Sequence, residues 1–294
     1  MRGWLEGSGA VPGDPAAFLR QGHLELVVRA WGDVPLGPRL ETAAKWLVLT
    51  WIADDRFDDS WITRPPAEVR RTTRALARAL GPSPAPVPPD REDAALVRAL
   101  SGLWTETAEL TGPVWRARYS RHYRAYLDAS LGYLEHRAVR GTVPTVPEYL
   151  DGRDQDGAVL CAAGWVELAH GLELGDEVWA HPRMADVLAR FSHVVCWVND
   201  LYSAPAEGLA GNGKNLLSAL ISHEGLDGTT ASARVRALYE AELTTFVFLA
   251  DGIARSPSWP PPVRHFARGL IRFTEALVHW TATARRYRTH EGAR

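Results

Sequence analysis

At 294 residues, the chain is long enough for one large domain or two small ones. Its 46% hydrophobic and 23% charged residues are those of a globular protein, not of a disordered or collagen-like one. With 33 Lys+Arg against 35 Asp+Glu the net charge is -2, so there is no broad basic field for a nucleic acid or an anionic membrane surface, and any anion must be gripped locally.

No N-terminal run has the roughly 7–15 apolar residues of a signal peptide, and none approaches the ~18 of a membrane span, so the expected location is the cytoplasm. Cys161 and Cys196 form no C-x-x-C pair and read as buried apolar residues. Alternating strand patterns are scarce, whereas Ala, Leu, Arg and Glu recur at helical spacing, which makes the chain all-α.

In chain order, helices are expected over 15–31, 40–62, 66–80, 91–110, 113–140, 157–173, 183–204, 229–254 and 260–288. The Pro-rich stretch 81–89 and the segment 256–262 are connections, because Pro cannot continue a helix. The segment 151–157, Asp-Gly-Arg-Asp-Gln-Asp-Gly, reads as a loop carrying Arg153. No repeat of fixed period is present.

Two of these helices are apolar nearly all round, over 46–53 and 191–198, and each runs directly into a polar cluster. Buried helices that end in charge call for a ligand. In the first cluster Asp54 and Asp58 are four apart and share a helix face. Two hard oxygens at one point suit Mg2+, although a solvated acidic helix end would show the same spacing. In the second, Asn199, Ser203 and Glu207 follow at i, i+4 and i+8 and line one stripe with oxygen donors. Asparagine occurs only at 199, 212 and 215. Helix capping by Asn199 and Ser203, which would leave Glu207 as mere surface, is the less favoured alternative. Divalent metals held by both faces would hold a diphosphate between them, and Arg153, Arg286 and Tyr287 could supply donors to it.

With these residues in place, the sequence resembles the bacterial class I terpene synthases (terpene cyclases) over most of its length. Asp54-Asp55-Arg-Phe-Asp58 resembles the family's aspartate-rich motif, and Asn199-Asp200-Leu-Tyr-Ser203-Ala-Pro-Ala-Glu207 its second metal motif. Arg153 stands 46 residues before Asn199, the family's separation for its pyrophosphate-sensing arginine. Asp156-Gly157 falls at the linker and effector positions, and Arg286-Tyr287, preceded by Trp280, resembles the C-terminal RY pair.

The resemblance implies a single class I terpenoid synthase helical bundle over 1–294, a diphosphate-releasing carbon-oxygen lyase, and three Mg2+ ions. Asp54 and a helping Asp58 would bind two ions, Asp55 would pair with Arg286, and Asn199, Ser203 and Glu207 would chelate the third. Arg153, Arg286 and Tyr287 would bind the diphosphate of a linear isoprenyl substrate. Farnesyl diphosphate is expected, with geranyl and geranylgeranyl diphosphate as alternatives, and the family often forms homodimers. Among 12 tryptophans, Trp51, Trp165, Trp197 and Trp280, with Phe57, are candidates for the aromatic wall.

The chain departs from the family at Pro205, inside the metal stripe, and at Ala206, where many members carry a diphosphate-binding lysine that Lys214 or another Arg would have to replace. Isoprenyl diphosphate synthases carry a second aspartate-rich motif that is missing here. Proton-initiated cyclases need a DxDD string, which is absent. A non-catalytic prenyl-binding protein descended from a cyclase is the non-enzymatic alternative.

Overall fold

The computed structural model describes residues 1–81, 88, 90–141, 143–210 and 214–288, with the side chains of 139, 140, 205–210 and 288 outside the description. In chain order the helices are α1 (Arg2–Ser8), α2 (Pro15–Leu19), α3 (His23–Trp31), α4 (Pro38–Asp55), α5 (Pro66–Ala79), α6 (Arg91–Leu110), α7 (Pro113–Arg140), α8 (Val146–Asp156), α9 (Val159–Ala169), α10 (Asp176–Trp179), α11 (Pro182–Ala210), α12 (Leu216–Glu224), α13 (Gly228–Arg255), α14 (Pro261–Thr283) and α15 (Arg285–Arg288), with a π-helical turn (Arg56–Ser60) after α4. No strand occurs among the described residues, as expected of an all-α chain.

Local chemistry sets the helix starts. Pro15, Pro38, Pro66, Pro113 and Pro261 each occupy a first turn, where the missing N–H costs nothing. Asp14, Asp90, Asn215 and Asp227 cap with their side chains. Helix α4 buries Trp46, Leu47, Val48 and Leu49 in succession, and α9 buries residues on every face. A stripe of that width belongs in the middle of a bundle. Accordingly α4 packs on α6 and α9, and α11 packs on α9, α13 and α14, while α3 lies along α14 and α7 along α5, α8 and α9. Among the described residues no helix is long and apolar enough to cross a membrane.

The structure differs from the sequence expectation where backbone chemistry overrides periodicity. The helix expected over 15–31 breaks at Gly22, whose φ of 103° no ordinary residue adopts easily. Its carbonyl accepts from Trp280 Nε1 at 2.8 Å, and a Cβ there would meet that nitrogen at 3.1 Å. The helix expected over 40–62 widens after Asp55, where Trp61 N–H bonds Arg56 O at 2.7 Å, an i→i+5 step.

The expected loop 151–157 is helical instead. Thr145 and Glu148 form a capping box that launches α8, and α9 therefore begins at Val159, not at 157. Helix α11 runs through Pro205 to Ala210. Helices α1, α10 and α12 had no counterpart in the periodicity. Most of the Pro-rich connection 81–89 lies outside the described residues, while the 256–262 break falls between α13 and α14 as expected.

Candidate active site

Helices α3, α4, α9, α11 and α14 enclose a cavity that is apolar in depth and polar at one end. Leu26, Leu47, Trp51, Val159, Ala162, Trp165, Val195, Phe273 and Leu277 line it, with Asp54, Arg153, Asn199 and Tyr287 at the polar end. The cavity volume is about 80 Å3, well below the ~300–1,000 Å3 of small-molecule sites, so the walls stand close together.

One wall is acidic. Although half-open to the cavity, Asp54 sits deep, and burial pushes its pKa up to about 7, with the Asp58 carboxylate adding to the rise. Asp55 turns from the cavity to Arg286, 2.5 Å away. The Arg286 guanidinium lies 4.7 Å from the Trp51 ring centre and donates to Gln21 Oε1 at 3.2 Å. Burial opposes its charge most strongly, but Asp55, together with Tyr287 and Asp54, outweighs burial and raises its pKa. The π-helical turn is anchored by Arg56, which donates to Glu92 at 2.8 Å and to Ala10 O at 3.2 Å, and by Trp61, which donates to Asp93 at 3.1 Å.

Opposite stands α11. Asn199 Nδ2 donates to the Tyr287 hydroxyl at 2.8 Å, and its Oδ1 accepts from Arg153 at 3.0 Å. Arg153 also reaches Asp200 at 2.8 Å and Asp156 at 2.9 Å. Burial would lower its pKa, but the Asp200 and Asp156 charges among its buried neighbours hold it well above the ordinary value. Asp200 is fully buried and accepts from three donors: Arg153, the Tyr149 hydroxyl, and Leu216 N–H at 2.7 Å. It thereby joins α8, α11 and the start of α12. Burial raises its pKa against the pull of Arg153.

The donor set fits a hard divalent cation. Ser203 Oγ, one helical turn from Asn199, is buried without a hydrogen-bond partner among the described residues, an arrangement that costs about 1–3 kcal/mol unless a ligand compensates. Asp54 and Asp58 face the same space with their charges in mutual repulsion. Among the described residues no group of three His, Cys, Asp or Glu is placed to hold one ion.

Asp54, Arg153, Gly157, Asn199 and Tyr287 thus share one cavity, with Asp58, Asp156, Ser203 and the Asp55–Arg286 pair beside it. The Glu207 side chain lies outside the described residues. Phe57, Trp197 and Trp280, expected on the aromatic wall, are not among the residues that line this cavity. Phe57 packs against Trp61 and Tyr126, Trp197 stacks on His193 at 4.8 Å, and Trp280 is spent on Gly22 and Trp51. Trp51 and Trp165, also named from the sequence, do line it, joined by Phe273. Sequence reasoning assigned no role to Tyr149 or Asp200. The pairing of a buried Asp next to Asn199 with a Tyr four residues before Arg153 was the available signal.

Gly157 fills the break between α8 and α9. A Cβ there would stand 2.7 Å from Cys196 Sγ, closer than packed atoms approach, and the next residue, Ala158, already holds φ 53°. Gly157→Ala should lower stability by about 1–3 kcal/mol through overpacking, and Cys196→Ala in the same chain should recover part of that loss. A urea double-mutant cycle measures both.

Residues 45–245 match the family described as Terpene synthase family 2, C-terminal metal binding. The chain belongs to this terpene synthase family. It is 29% identical over 97% of its length to pristinol synthase of Streptomyces pristinaespiralis, covering 78% of that protein. It is 28% identical over 84% to the (+)-T-muurolol synthase of Roseiflexus castenholzii, covering 75% of it. Among solved structures, a single-residue variant of cucumene synthase superposes with a TM-score of 0.80 at 26% identity, covering 97% of this chain and 93% of that one. This terpene synthase is a class I cyclase, a lyase that releases diphosphate, and its family uses a divalent metal.

Proposed function

We propose that this terpene synthase is Mg2+-dependent, that it loads three ions, and that its substrate is farnesyl diphosphate, which it ionises and cyclises to a sesquiterpene. The observation that carries this reading is the single cavity that sets Asp54 and Asn199 on opposing polar walls and continues into apolar depth between Trp51, Trp165 and Phe273. Farnesyl diphosphate is supported by the name of the T-muurolol synthase relative, which specifies (2E,6E)-farnesyl diphosphate as the compound cyclised. The family resemblance supports a single domain over 1–294, a cytoplasmic enzyme and a homodimer.

Asp54 and Asp58 bind metal on one wall, and Asn199, Ser203 and Glu207 bind it on the other. Bound Mg2+ supplies charge neutralisation to the departing diphosphate. Arg153, Arg286 and Tyr287 donate hydrogen bonds to the diphosphate oxygens, so that negative charge building on the leaving group is met by fixed donors. The remaining walls exclude water and present ring faces, which shelter the allylic cation while the chain folds against them.

The test is incubation of the full chain with Mg2+ and, separately, geranyl, farnesyl and geranylgeranyl diphosphate, reading released diphosphate and hydrocarbon by gas chromatography. Cyclic C15 product from farnesyl diphosphate is the expected result. Cyclic product from another chain length corrects the substrate, and binding without diphosphate release identifies a prenyl-binding protein instead. In the same assay Arg153→Ala should cost about 10²-fold or more in kcat, whereas Arg74→Ala, at an exposed position, should leave the rate unchanged.

A further inference from the structure

Lys214 is one of two lysines in the chain. The other, Lys45, pairs with Glu41 and Glu106 away from the cavity. Lys214 stands directly before Asn215, the N-cap of α12, and only 6% of it is exposed. Its Nζ lies 3.4 Å from Asp156 Oδ2 and 4.0 Å from Asp58 Oδ1, and 5.6 Å from the centre of the Tyr133 ring. Asp156 closes α8 and Asp58 belongs to the π-helical turn, so one ammonium bridges two separate elements of the site. The other charges that act on it are Asp54 and the Arg153 guanidinium. A buried ammonium is costly unless carboxylates compensate it, and a carboxylate cluster is equally costly without a cation.

We infer that Lys214 is the resident counter-ion of the acidic wall, offsetting part of its negative charge without metal and making metal loading depend on arrival of the diphosphate. This rests on the reading above that Asp54 and Asp58 bind a divalent cation. A fixed positive charge about 4 Å from a ligand carboxylate repels a second cation at that carboxylate, by an amount that decays slowly in a half-buried site. Metal alone therefore binds weakly. The ammonium attracts the diphosphate, and the anion's negative charge in turn outweighs that repulsion and draws in the metal ions. The role is one of positioning and ordering, exerted through the metal-binding carboxylates.

The test uses Mn2+ as the probe, titrated by electron paramagnetic resonance into the full-length chain with and without inorganic pyrophosphate. Lys214→Met should bind Mn2+ alone about tenfold tighter than the wild type, or more, and should lose that advantage when pyrophosphate is present. Lys214→Arg, which keeps the charge, should behave as the wild type. In chelator, Lys214→Met should melt below the wild type and should regain more on adding Mn2+ than the wild type gains. If Lys214→Met does not fold, Lys214→Gln is judged by the same criteria. Equal or weaker binding of Mn2+ alone by the neutral variant overturns the inference while leaving the metal reading intact. A wild type that binds no Mn2+ in either condition overturns both.

Discussion

Asp54→Ala and Asn199→Ala should each reduce turnover by about 10³-fold or more, the scale on which electrostatic stabilisation of a leaving group is lost, while far-UV circular dichroism stays that of the wild type. Neither side chain belongs to the apolar packing between helices. Asp54 ends α4 facing the cavity with repelling carboxylates for neighbours, and Asn199 reaches across to Tyr287 and Arg153. Removing either leaves the apolar packing of α4 and α11 untouched. A variant that kept near-normal turnover would refute the assignment of its residue to the metal wall. Measuring Mn2+ binding in the same samples separates loss of the ion from loss of the chemistry.

Asp200→Ala should act on stability first. Its carboxylate is the shared acceptor of Arg153, Tyr149 and the Leu216 amide, all buried, and deleting it leaves a guanidinium short of its counter-charge inside the protein. Breaking one partner of such a pair costs about 3–5 kcal/mol, which for a chain of this size corresponds to a fall in Tm on the order of 10 °C. The exposed Asp151 of the same helix cluster is the control, because its replacement by Ala should change Tm by less than about 2 °C. Equal shifts for the two variants would show that Asp200 does not clamp the site. Turnover of Asp200→Ala should fall as well, since Arg153 is positioned through it.

The helical class and the stripe of Asn199 with Ser203 were legible because both rest on spacing within a single helix, which the 3.6-residue repeat carries directly. Asp54 and Asp58 are brought near each other although they straddle the end of α4 and the π-helical turn, which that repeat does not describe. The breaks were less legible. Gly22 interrupts a stretch of good helix formers because a tryptophan 258 residues away bonds its carbonyl, and no local pattern encodes that partner. The capping box at Thr145 is visible in the sequence, but Gly152 and the five polar residues around it on their own resemble a loop. The aromatic wall was legible only in part, for a related reason. Trp197 and Trp280 lie on motif-bearing helices, yet a helix has several faces, and which one meets the cavity is decided by the packing of α13 and α3 against them. Lys214 was named only as a substitute donor, and its place between Asp58 and Asp156 depends on the approach of α8 to the end of α4.

Arg56, Trp280 and Arg286 reach back from the motif-bearing helices to Ala10, Gly22 and Gln21. The first two dozen residues are therefore stitched to the rim of the candidate site, through backbone carbonyls and one amide. For anyone trimming the chain to improve expression or crystals, the start of the polypeptide is consequently a support of that rim and cannot be treated as disposable packaging.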